Sequence, residues 1–369
     1  MFKKVTKYFM AFFFVGIFTV TSFASSDLVD VASKMVLNGI VTPSYQWSFQ
    51  DSYDLGTAFS TYLIENKENL SKCTDVSYYP IFKNNKIVAV LTKITGDNGS
   101  ISYNFSKSFA QRIDEITQGG QKASKLILYG RQIFVYCDGN VFEIKCYDVP
   151  LFDQEDLTTD EVKNIVFNET LSFSQAENMT TTNKQALSVP QFSTLDSETM
   201  TLLLNVDTWQ QPEGSNQCWA ATAWCIGEYD WLNNHDDYLY SDPSAFAEGV
   251  GYTGTGGRDF PTTIEYIENE YGILLGRILG TITAAKIEQE LDRDHPFPMV
   301  WWRDNDPNQM AHMVTCCGYS KNVSGVINEI AVMDSLEGDI LWILQGSDGF
   351  YTQQMGNLTY TWRQTAVWN

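Results

Sequence analysis

Histidine is scarce in this chain, three in 369 residues. Any imidazole chemistry must therefore use His235, His295 or His312. Basic residues are also short, 24 Lys and Arg against 45 Asp and Glu, for a formal charge of −21. So acidic a chain is a poor partner for nucleic acid or anionic membranes, whose phosphates must be met by Lys and Arg. The seven cysteines are few and odd in number. No C-x-x-C or Cys/His ligand spacing occurs, which argues against structural zinc, and no other metal or cofactor is implied. Beyond the first residues, no apolar run is long enough to span a bilayer.

The N-terminus, MFKKVTKYFMAFFFVGIFTVTSFASS, has the three parts of a secretory signal: Lys3, Lys4 and Lys7, then an apolar segment Phe9 to Val20, then small-x-small at Ser22-Phe23-Ala24. Residues 1–24 are expected to be cleaved and the remainder to be secreted, with no membrane contact afterwards. An uncleaved anchor is the alternative, but the apolar run is short for one and ends at small residues. Cleavage removes three lysines and no acid, so −21 becomes −24.

What remains divides by pattern. Residues 25–170 read as an α+β unit on an antiparallel sheet. Its strands lie in YYPIF, KIVAVLTKI, SISYNF, KLILYG, QIFVYC and VFEIKCY, and a helix in SKSFAQRIDEITQ has apolar spacing through Phe109, Ile113 and Ile116. The turn at Asp138-Gly139 pairs Cys137 with Asn140 and leaves Cys146 opposite the region of Arg131, out of register for a disulfide with Cys137. Residues 171–201 are rich in Ser, Thr, Asn and Gln with sparse apolar residues, and read either as a tether or as a cleavable activation segment. From residue 202 to 369 helices come first and strands afterwards, again α+β.

The chemistry concentrates in this last part. Cys218, in QPEGSNQCWAAT, opens a predicted helix, where unpaired N–H groups favour a thiolate; a small buried cysteine is the bland alternative. His235 lies in an acidic loop, and His295 precedes Pro296 at a helix end. His312, which begins the strand AHMVTCCGY, is the candidate base. Asp334 ends the strand EIAVM, 22 residues later, so antiparallel neighbours can set it beside His312; Asp339 and Asn328 are weaker candidates. Gln211 offers a side-chain amide for an oxyanion, with Gln210 its rival. Cys316 shares the His312 face by strand alternation, and either lines the site or fills the core with Cys317.

These stretches, QPEGSNQCWAAT, AHMVTCCGY and AVMDS, resemble the landmarks of papain-like cysteine peptidases (clan CA), where Gln, Cys, His and Asn or Asp occur in this chain order. The compact secreted bacterial branch is the most similar, with staphopains and bacteriocin-leader peptidases. The resemblance covers 202–369. It implies a papain-like catalytic domain, a helical half carrying Cys218 and an antiparallel β half carrying His312, with the site in the cleft between. It further implies a substrate-binding wall at Gly256 and Gly257, in a glycine-rich loop, and substrate contacts at Trp219 and Ala311, with Trp219 between the halves. The residues before 171 then read as a propeptide-like domain acting as intramolecular inhibitor of a latent precursor, and the substrate as a protein or peptide. One departure is a Gln-to-Cys spacing one residue longer than in papain itself. The rival functions are a transpeptidase or amidase using the same Cys-His pair, and a catalytically silent binding module.

Overall fold

The computed structural model describes residues 10–12, 28–122, 124–147, 155–168, 184–187, 199–254, 256–304, 311–322 and 324–369. The expected signal segment, apart from residues 10–12, lies outside the described residues, as does most of the expected linker.

The front unit opens with helix α1 (Leu28–Val41), followed by β2 (Tyr53–Leu55), β3 (Ser60–Glu65) and β4 (Asn69–Lys72); β1 is the short Met10–Phe12 strand. The strands β5 (Val76–Lys83), β6 (Lys86–Thr95) and β7 (Ile101–Ser106) form a meander. Then come α2 (Ala110–Thr117), the meander β8 (Ser124–Tyr129), β9 (Gln132–Cys137) and β10 (Asn140–Cys146), and α3 (Thr159–Asn168). The hairpin register sets Cys137 against Asn140 and Cys146 against Gln132, and all seven cysteines are free.

The antiparallel expectation needs one correction, because β3 and β8 pair in parallel. Between them the chain makes β4 to β7 and α2, a connection long enough to bring β8 in alongside β3 in the same direction. The front unit thus has two sheets, a five-stranded one in the order β10-β9-β8-β3-β4 and the β5–β7 meander. Helix α2 lies between them, touching β6 and β9 and burying Ile113 and Thr117.

Two strands fall within the expected linker or across its end. The pair β11 (Gln185–Ala186) adds to the edge of β2, with the Leu187 N–H donating to the Tyr53 carbonyl at 2.9 Å. Strand β12 (Thr199–Leu203) joins the sheet of the C-terminal half.

That half begins with α4 (Cys218–Asn234), α5 (Pro243–Gly249) and α6 (Phe260–Tyr271). Helix α4 is buried on every side from Trp219 to Glu228, the mark of a central helix rather than a surface one. It packs on α6 at Gly227, where an added Cβ would sit 2.1 Å from the Tyr271 ring. The Asp242 and Asp259 carboxylates cap α5 and α6, accepting from the N–H groups of Ala245 and Thr262. Next come β13 (Leu275–Ile278), α7 (Ala284–Leu291) and an antiparallel sheet of β14 (Phe297–Arg303), β15 (Ala311–Lys321), β16 (Ile327–Asp334), β17 (Asp339–Leu344), β18 (Thr352–Met355) and β19 (Leu358–Trp368). Strand β15 is buried from His312 to Ser320, because α4 covers it on one side.

The two units share one sheet. Strand β7 pairs antiparallel with β17 through Phe105 and Trp342, Asn104 and Ile343, Tyr103 and Leu344, so hydrogen bonding runs from β11 to β13 without a break. One hydrophobic core likewise extends from α1 and β5–β7 to α4 and β14–β17. A smaller core lies under α3, around Phe134 and Val162.

Candidate active site

Cys218 is the first residue of α4 and is half-buried. The residue before the helix, Gln217, makes no side-chain cap, which leaves the initial N–H groups of the helix around Cys218 without a competing carboxylate. Asn216 takes a left-handed conformation (φ 50°), turning the chain into the helix.

His312, second in β15, is 2% exposed. Its Nε2–H donates to Asp334 Oδ1 at 2.7 Å, across two neighbouring antiparallel strands. Nε2 is thus taken by Asp334, and Cys218 is close enough to act on the ring by hydrogen bonding and charge. Burial alone would push the imidazole pKa down. The Asp334 carboxylate, by charge and hydrogen bond, and then Cys218 outweigh that and lift it to about 10. Asp334 is fully buried, which alone would raise its pKa. The His312 charge and hydrogen bonds from His312, Gln353 and the Leu336 N–H hold it below its ordinary value instead. Gln353 Nε2 donates to Asp334 Oδ2 at 2.5 Å, and the Leu336 N–H to Oδ1 at 2.8 Å.

Gln211 is 4% exposed and tied twice to the residue after Asp334. Its N–H donates to the Ser335 carbonyl at 2.9 Å, and Ser335 Oγ donates to its Oε1 at 2.8 Å. These two contacts hold the Gln211 side chain and backbone against the turn that follows Asp334. The rival Gln210 spends its Nε2 on the carbonyls of Ser335 and Leu336, at 3.2 and 3.0 Å.

The remaining residues fall out differently. Trp219, expected between the halves and against substrate, is corrected: it is 0% exposed and inside the helical half, among the rings of Phe246, Tyr252 and Tyr266. Successive residues of a helix point about 100° apart, so Trp219 turns into the core while Cys218 stays half-buried. Gly256 and Gly257 are exposed, and Gly257 lies beside the Asn216 carbonyl, next to the start of α4; Thr255 is outside the described residues. Ala311 is exposed at the mouth of β15. Cys316 and Cys317 are both 0% exposed and belong to the core. Asp339 pairs with Lys107, Asn328 accepts from Lys34, His235 stacks on Trp231 and His295 on Trp368. Two contributors escaped the sequence reading, Gln353 and Ser335. The Asp334-Ser335 dipeptide and the polar pair Gln353-Gln354 inside a strand were the signals available.

A cavity of about 460 Å³ opens beside Gln211, walled by Gln210, Glu213 and Leu336 on one side and by Gln132, Cys146 and Leu157 of the front unit on the other. No helix among the described residues is long and apolar enough to cross a membrane. The chain matches no protein-family model and no curated protein.

Proposed function

We propose that this chain is a papain-like cysteine peptidase, exported by way of residues 1–24. The observation that carries the reading is the line Cys218, His312, Asp334, with Gln211 anchored to Ser335 immediately beyond. In this reading the Cys218 thiolate attacks a peptide carbonyl carbon. The resulting oxyanion receives hydrogen bonds from Gln211 Nε2 and the Cys218 backbone N–H. The imidazolium passes its Nδ1 proton to the leaving amine, the C–N bond breaks, and a thioester remains on Cys218. His312 then takes a proton from water, hydroxide attacks the thioester, and the thiolate departs. Asp334 keeps the ring in the tautomer and orientation that both steps need. Gln211 favours this over a cell-wall amidase, since such enzymes with a Cys/His pair generally lack the upstream amide.

A peptidyl epoxide probe tests the reading directly. Peptide mapping should find one adduct, on Cys218, absent in Cys218→Ala and accompanied by loss of peptide hydrolysis. An unlabelled Cys218 in a protein that hydrolyses no peptide would overturn the assignment.

A further inference from the structure

The turn that joins β16 to β17, Asp334 to Gly338, is gripped from two sides. On the catalytic side, Asp334 holds His312 and Ser335 holds Gln211. On the other side stands the front unit. Lys145, at the end of β10, donates from Nζ to the Leu336 carbonyl at 2.7 Å and lies 3.7 Å from Glu337 Oε2. Ser106 Oγ donates to the same carboxylate oxygen at 3.3 Å, and Tyr147 adds a hydroxyl donor. The Glu337 side chain is only 2% exposed, and these donors all come from the front unit. A carboxylate so deeply placed is stable only while it is paired.

We propose that the front unit is a positioning partner of the catalytic turn, acting through Lys145, and that it stays docked when the segment connecting the two units is cut. The inference rests on the peptidase reading of the site. Docking does not depend on Lys145 alone. Two further lysines of the front unit meet buried carboxylates of the catalytic half at 2.8 Å, Lys34 with Glu329 and Lys107 with Asp339. A plug that left on activation would break these pairs and the β7–β17 ladder, and would uncover the apolar edge at Trp342. It would also free the turn that aligns Asp334 and Gln211. Misplacing a catalytic group by about 1 Å costs up to about 100-fold in rate.

The test uses the full chain, with turnover normalised to thiol titrated by a peptidyl epoxide. Lys145→Met should lower kcat by about 10-fold or more with KM within about twofold, since the turn serves the transition state rather than substrate binding. Lys145→Arg keeps the cation and should recover most of the rate, and Glu337→Gln should reproduce the loss if Lys145→Met fails to fold. A protease site placed in residues 188–198 should give, after cutting, two fragments that elute as one particle and retain activity. A wild-type chain that takes no label and hydrolyses nothing overturns the peptidase reading and this inference with it. A labelled, active wild type whose Lys145→Met and Glu337→Gln variants match it per titrated thiol, or exceed it, overturns this inference alone. So does a cut chain whose fragments separate with a gain in activity.

Discussion

Replacing Asp334 with Asn removes a charge while leaving the hydrogen-bond geometry nearly intact. Asn Oδ1 can still accept from His312 Nε2–H, as Asp334 Oδ1 does at 2.7 Å. Its Nδ2 would face the Gln353 donor that now sits 2.5 Å from Asp334 Oδ2. Gln353 can turn its amide over, because its Oε1 has no hydrogen-bond partner among the described residues. What changes is the proton affinity of His312. Burial favours the neutral ring, and it is chiefly Asp334 that reverses this and raises the pKa to about 10. A folded value above the unfolded one means that the ion pair contributes its full stability below about pH 6.5 and loses it as the pH climbs towards 10. Wild-type kcat/KM should therefore hold into alkaline solution, with its upper limb set by His312 near 10. In Asp334→Asn burial is no longer opposed by a carboxylate, and the limb should fall to about 6.5 or lower. At pH 8 that leaves the imidazolium about 30-fold depleted, and activity falls in proportion. The assay is a fluorogenic-peptide pH profile of both proteins, normalised to titrated thiol. An alkaline limb at the same pH in wild type and Asp334→Asn would refute the reasoning.

Cys218→Ser should leave the fold intact, the two side chains being close in volume, and abolish peptide hydrolysis; matched circular dichroism and turnover decide it. Gln211→Ala should lower kcat by about 10- to 1,000-fold with little change in KM, whereas Gln210→Ala, whose amide is spent on backbone carbonyls, should not show that pattern. His312→Ala should cost more turnover than Asp334→Ala, because the first removes the base and the second its orientation. Gly227→Ala should destabilise the protein by about 1–3 kcal/mol in denaturant unfolding, since the new methyl meets the Tyr271 ring at 2.1 Å and α4 must shift off α6.

The site residues that could be read from the sequence are those whose roles follow from local features. Cys218 announces a helix start, His312 stands out among three histidines, and Asp334 sits at the end of an apolar strand. Strand alternation and turn residues likewise mark the elements from β5 to β10 and from β14 to β17, and the Asp138-Gly139 turn fixes the register of its hairpin. Trp219, expected between the halves, instead fills the core of the helical half, since one step along a helix turns a side chain by about 100° away from Cys218. Ser335 acts through a partner 124 residues away, and Gln353 reaches Asp334 from β18, which is not a sheet neighbour of β16, so strand pairing does not point to it. The parallel pairing of β3 with β8 is likewise hidden, since five elements in sequence separate two strands that touch.

The seam between β7 and β17 shows how such long-range design can be invisible yet specific. Along β16, β17 and the turn between them the sequence places Glu329, Glu337 and Asp339 among apolar residues. In the fold each is a buried carboxylate, and each has an ion-pair partner among Lys34, Lys145 and Lys107 of the front unit. A buried carboxylate without a partner costs several kcal/mol, so the three acids favour a covering unit that brings lysines to them, as the front unit does from α1, from β10 and from just beyond β7. The three acids thus tie the front unit to the half that carries β17, and Glu337 sets Lys145 against the turn that carries Asp334.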